Sequence, residues 1–335
     1  MEQTAGPSTT HRESVARQNR RRLLVGGTLL VGGALAMMAI PVFGASGYAV
    51  TLAYYAAFYV GLGQSWNLMS GLTGYLSVAH AAFLGIGAYT AVLLMNAGQH
   101  PVVAMAAAVT VSGVAAFLVG LPSLRVSGLA FAFTTLFFLE ICRLTVTLWT
   151  PVTGGGAGVY ATRLFDANHM YYLMVGAALL TTLVVLVVRH SQVGRELVAI
   201  REDEEAAESI GINATKLKLI TFTASGALAG FVGAVHGAFL GYLLPMSVFV
   251  LELTLIAIAL PLIGGMGTVT GPVVAGLGYS YLREQFQVQA PSLHLILLGA
   301  AVVLVVLFMP RGIVPATAGL YDRRRRRRVS RAAAA

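Results

Sequence analysis

The sequence predicts an all-α, polytopic helical membrane protein. Three observations lead there: charge is sparse, apolar runs are long, and basic residues gather at the two ends. Of 335 residues, 57% are hydrophobic and only 10% are charged. A soluble domain carries roughly 25% charge, so this composition lacks the charged surface that water demands. Of 22 basic residues, five fall in the first 22 positions and seven in the run from Arg323 to Arg331. From 23 to 310, outside a charge-rich block at 189–218, only eight residues are charged. The net charge of +9 therefore sits where cytoplasmic tails and loops belong, and a nucleic-acid partner is not expected.

Apolar runs long enough to cross ~30 Å of hydrocarbon at ~20 residues each are read in order. They fall at 23–43, 48–69, 78–97, 102–121, 127–148, 170–188, 217–241, 248–264, 272–282 and 292–309. The first follows Arg20-Arg21-Arg22 and outlasts a secretory signal's apolar stretch, so it is expected to stay as an uncleaved helix. The run at 272–282 is too short to span alone and is expected to be re-entrant or broken. The basic tails and the 189–218 loop are expected inside, which requires an even number of crossings before each. Arg125 also falls inside, and only Arg163 and Arg283 fall outside. About ten spans satisfy this; eight or nine demote a segment. Trp66, Trp149, Tyr171 and Tyr172 fall near interfaces, where amphipathic rings are favoured. The resulting organisation is a basic cytoplasmic tail (1–22), a transmembrane region (23–312) containing the cytoplasmic 189–218 loop, and an Arg-rich cytoplasmic tail (313–335).

Glycine marks where helices meet. Gly226, Gly230, Gly233, Gly237 and Gly241 recur every three or four residues in the seventh span, the spacing of one helix face. Small faces let helices approach closely in lipid, so a packing face is expected. The alternative is a face that slides during transport. A weak internal repeat aligns Gly74–Gly85 with Gly230–Gly241, pairing His80 with His236.

No catalytic constellation is assembled. There is no G-x-x-x-x-G-K-[ST] phosphate loop and no H-E-x-x-H pair. The seven histidines are scattered singly, and the single cysteine, Cys142, excludes an intramolecular disulfide. No metal site and no bound cofactor are expected, and the chain is not expected to be an enzyme. Energy for uphill movement must come from an ion gradient or a separate subunit. Intramembrane ionisable residues are the first functional candidates. Glu140 and Arg143 share a helix face at i, i+3, either neutralising one another to lock their span to a neighbour or lining a gate. His80, His236 and Glu252 complete the pathway candidates.

The internal block from Arg195 to Gly211 reads as one or two short helices, with Gly211 as a left-handed terminator and Asn213 or Thr215 capping the next span. It is either a solvated charged loop or a helix that docks on a cytoplasmic partner.

The pattern Glu205-Ala206-Ala207-x-x-x-Gly211 resembles the EAA loop of ABC-importer permeases, although Thr221-Phe-Thr-Ala stands where the fuller pattern ends in Ile-x-Leu-Pro. Four blocks make the chain similar to the branched-chain amino acid permease family, the M-type subunit of the leucine/isoleucine/valine importer. They are Trp66–Tyr89, Thr153–Gly158, Gly194–Asn213 and Pro261–Pro272, within a resemblance over roughly 48–312. The resemblance implies coupling to an ATPase through Arg201, Glu202, Glu205, Ala206, Ala207 and Gly211. It also implies a homologous second permease, two cytoplasmic ABC ATPases that use the ATP, an extracytoplasmic substrate-binding protein, and a bacterial plasma membrane. Because similar permeases share these blocks, the alternative within the resemblance is an ABC permease for urea, short amides or other small amino acids. An ion-coupled secondary carrier is the alternative from another class.

Overall fold

The computed structural model describes residues 46–162, 166–289, 293–309 and 312–316, with Thr28, Gly32, Gly33 and Met37. The Arg-rich tails and nearly all of the span expected at 23–43 lie outside the described residues. Elsewhere the helices follow the apolar runs. They are α1 (Gly47–Trp66), α2 (His80–Asn96), α3 (Pro101–Ser123), α4 (Gly128–Leu148), α5 (Ala167–His190), α6 (Gln192–Glu202), α7 (Glu204–Ser209), α8 (Ala214–Leu240), α9 (Leu251–Gly264), α10 (Thr270–Gln289) and α11 (Leu293–Phe308). Among the described residues, five helices are long and apolar enough to cross a membrane: α3, α4, α5 from Asn168, α8, and the stretch Pro245–Gly264 containing α9.

Local chemistry sets the ends. Ser46 caps α1 by accepting from the Ala49 N–H at 3.4 Å, and Pro101 opens α3, where a missing N–H costs nothing. Of the two capping candidates for α8, Asn213 does the work, accepting from Lys216 N at 2.9 Å. The block after α5 resolves into two helices, α6 and α7, separated by Asp203, whose carboxylate accepts from Ala206 N at 3.0 Å.

α8 is the central helix, packed against α2, α3, α5 and α1. A Cβ at Gly233 would strike the Leu84 carbonyl, and one at Gly87 would strike that of Gly230. Cβ atoms at Gly226 and Gly237 would lie 2.5 and 2.8 Å from those of Ala116 and Ala88. The absent side chains bring α8 backbone-close to α2 and α3. Gly241 does not belong to this face: it ends α8 with φ +72°. Just beyond it, Tyr242–Leu243 (β2) pairs antiparallel with Val159–Tyr160 (β1), the one strand pair among the described residues.

Two expectations are corrected. The run at 272–282 is not broken: it lies within α10, a continuous 20-residue helix, although α10 is not among the helices long and apolar enough to cross a membrane. Polar residues from Arg283 onward end the apolar run without ending the helix, because Arg283 packs on tyrosine rings. The irregular element lies instead at the end of α1, where a π-helical turn at Asn67–Gly71 leads into non-helical backbone through Ala79. The repeat is also not structural: His80 opens α2, whereas His236 lies near the end of α8.

Large apolar side chains remain exposed on α4: Leu129, Phe133, Phe137, Ile141, Leu144 and Leu148. With the apolar helices, such a surface identifies hydrocarbon as the surrounding medium, so the chain is a multi-pass membrane protein.

Candidate functional site

Backbone that leaves a helix at membrane depth must find partners within the protein. The segment from Gly74 to Ala79 does so through side chains of three helices. Trp66 Nε1 donates to Ser77 O at 2.9 Å, and Ser77 N donates to Ser70 Oγ at 3.2 Å. From α4, Thr135 Oγ1 accepts from Val78 N at 3.0 Å. From α9, Thr254 Oγ1 accepts from Ala81 N and donates to Val78 O.

A second irregular stretch, Gly265–Val269, joins α9 to α10, and the two interruptions meet at Asn67. Its fully buried amide accepts from Gly267 N at 2.8 Å and donates to Thr268 O at 2.8 Å. Gln64 Nε2 donates to Val269 O at 2.6 Å. Two residues of α1 and its π-turn thus replace the ladder bonds that Gly265–Val269 lacks.

The segment expected to couple to a partner reaches this junction directly. Arg201 Nη1, on α6, donates to Gly71 O at 2.8 Å. A Cβ at Gly267 would lie 3.3 Å from that nitrogen, and one at Gly74 would lie 3.0 Å from Arg201 Cγ. Gly74 also holds φ +78°, a conformation glycine adopts without the Cβ clash. A single side chain therefore touches both interruptions.

α7 is fastened separately. Lys218 is 2% exposed; its Nζ donates to Glu204 Oε1 at 2.5 Å and to Tyr75 OH at 2.9 Å. Tyr75 OH donates to Glu204 Oε2 at 2.6 Å. Burial opposes the charged carboxylate of Glu204, but the hydrogen bonds from Lys218 and Tyr75 outweigh it and hold the carboxyl below its usual range.

The remaining expected residues divide. Ala207 is buried in the cluster joining α5, α6 and α8, while Glu202, Glu205 and Ala206 are exposed. Gly211 takes φ +90° beyond α7. His80 is a staple: Ser225 Oγ donates to Ser65 O at 2.7 Å, so it accepts at 2.8 Å from His80 Nε2, which carries the ring proton. His236 stacks on Phe58 at 4.1 Å and meets Tyr54 OH at 3.3 Å. Glu252 lies in the first turn of α9, where a carboxylate complements the helix dipole. Glu140 and Arg143 do pair, at 2.6 and 2.8 Å, but within α4. Arg143 reaches outside it to Met246 Sδ at 3.2 Å, and among the described residues no ionic bond locks α4 to a neighbour.

Sequence reasoning missed Gln64, Asn67, Tyr75, Glu204 and Lys218. The available signal was two amide side chains in an otherwise apolar span and a lysine one turn inside α8.

The family model for the permease component of branched-chain amino acid transport systems matches residues 48–306. The chain is 30% identical over 300 residues to the high-affinity branched-chain amino acid transport system permease protein LivM of Salmonella typhimurium (strain LT2), covering 80% of this chain and 70% of that one. Against LivM of Escherichia coli (strain K12) the identity is 29% at the same coverage. LivH of Escherichia coli (strain K12) is 28% identical over 135 residues, 38% of this chain and 41% of LivH. No solved structure matches. The blocks that build the Asn67 junction fall inside the matched region, and the chain belongs to the family of branched-chain amino acid transport system permease components.

Proposed function

We propose that this chain is the membrane-spanning permease subunit of an ABC importer that carries branched-chain amino acids across the bacterial plasma membrane, driven by separate ATPase subunits through α6 and α7. The observation that carries the reading is the bond from Arg201 to the Gly71 carbonyl. A force applied to α6 from the cytoplasm acts on the irregular ends of two membrane helices, without a flexible linker between. Displaced by a few ångströms, Arg201 releases the junction at Asn67 and lets α1 and α10 move relative to each other. The solvent-facing carboxylates Glu202 and Glu205 suit contact with an ATPase groove.

In this reading the chain crosses about ten times with both ends inside and binds no cofactor; ATP is bound and hydrolysed by two partner ATPases. A homologous second permease completes the pathway, and an extracytoplasmic binding protein delivers the substrate. The test is uptake of L-leucine, L-isoleucine and L-valine into proteoliposomes holding the co-expressed complex. Uptake that requires internal ATP and the binding protein is expected. Uptake driven by an ion gradient without ATP overturns the reading.

A further inference from the structure

Deeper in α10 stands a second polar cluster that the coupling argument does not use. Tyr279 and Arg283, one turn apart, face α1 on the same side of the helix. Tyr279 is only 6% exposed, yet its hydroxyl has no hydrogen-bond partner among the described residues, and neither has the buried Nε of Arg283. The Arg283 guanidinium lies 5.4 Å from the Tyr55 ring centroid and 6.0 Å from that of Tyr59. Tyr279 meets Tyr59 edge-on at 4.9 Å.

A buried guanidinium N–H without a partner is costly, as is a buried hydroxyl without one. Both are retained here on one face, against tyrosine rings. A guanidinium beside aromatic rings is the donor whose planar fork grips a carboxylate in two parallel bonds. Glu252 lies within electrostatic range of Tyr59 and Tyr279, so the cluster carries both signs of charge, as a zwitterion does. At 1.5 Å per residue, Arg283 stands about 20 Å beyond Thr270, on the outer side of the Asn67 junction.

We propose that Arg283 and the Tyr279 hydroxyl bind the carboxylate of the amino acid as it enters the pathway from outside, with Tyr55 and Tyr59 as the stacking wall. This rests on the import of amino acids proposed above.

The experiment uses the complete complex in proteoliposomes with saturating leucine-loaded binding protein, reading the maximal rate of L-leucine uptake and the amount of inserted protein. Arg283→Gln is expected to lower the rate about tenfold, and Arg283→Lys, which keeps the charge, to restore it to within about threefold of wild type. Tyr279→Phe removes one oxygen that no protein group among the described residues engages, so it leaves insertion unchanged and is expected to lower the rate about threefold. It decides the matter should Arg283→Gln insert poorly. Wild-type rates in both Arg283→Gln and Tyr279→Phe overturn the site while leaving the import reading intact. A wild-type complex that takes up no leucine overturns the import reading itself.

Discussion

Arg201 on α6 donates to the carbonyl of Gly71 across 2.8 Å, tying α6 to the π-helical end of α1, 130 residues earlier. A charged donor on a backbone acceptor contributes about 1.5–3 kcal/mol. Arg201→Ala is expected to leave the protein inserted but to reduce leucine-stimulated ATP turnover about tenfold, at 1.4 kcal/mol per factor of ten. Turnover measured in proteoliposomes at wild-type level would show that the bond transmits nothing.

Lys218, Glu204 and Tyr75 form a closed triangle of hydrogen bonds. Removing one partner of a buried pair costs about 3–5 kcal/mol, whereas removing both is far milder. Since Glu204 is 31% exposed at its side chain, the lower end applies. Lys218→Met should lower the melting temperature of the purified protein, and Lys218→Met with Glu204→Gln should recover most of the loss. Additive losses in this cycle would refute the pairing.

The same triangle sets a pH response. The Glu204 carboxyl is held below its usual range, so its contribution to stability is fully present above the unfolded-state value of ~4.3. It is lost as pH falls through the depressed folded value. Melting temperatures from about pH 5 down to about pH 2.5 should drop more in wild type than in Glu204→Gln; equal slopes would assign the acid sensitivity elsewhere.

Asn67 satisfies Gly267 N and Thr268 O at once. Asn67→Ala leaves two buried backbone groups without partners, at about 1–3 kcal/mol each. A melting temperature unchanged from wild type would show that water replaces the amide.

The α8 packing face yields a steric test. A Cβ at Gly233 meets the Leu84 carbonyl, whereas one at Gly176 on α5 meets nothing within 4 Å. Gly233→Ala is expected to cost about 1–3 kcal/mol by overpacking, and Gly176→Ala to be neutral or stabilising. Thermal melts of the two variants in one detergent give the comparison, and equal melting points would remove the close approach.

The sequence by itself determined what is local. Hydropathy marked α3, α4, α5 and α8 within a few residues, because an apolar run of membrane length has few alternatives to a spanning helix. Gly211 and Asn213 announced a helix end and a helix start through backbone and capping chemistry confined to a few positions. The EAA-like segment likewise marked α6 and α7 by residue types a few positions apart. The tertiary structure decided the pairings. Glu204 rather than Glu205 turns inward, because only Glu204 faces Lys218 and Tyr75, and adjacent residues on a short helix look alike in sequence. Asn67 serves a loop 200 residues away, and nothing near Asn67 encodes that distance. The extent of α10 depended on tyrosines of α1 that shelter Arg283 where the apolar run stops. Local patterns fix which segments are helices, but a buried polar group takes whichever partner packing brings within about 3 Å, and that packing is a property of the whole chain.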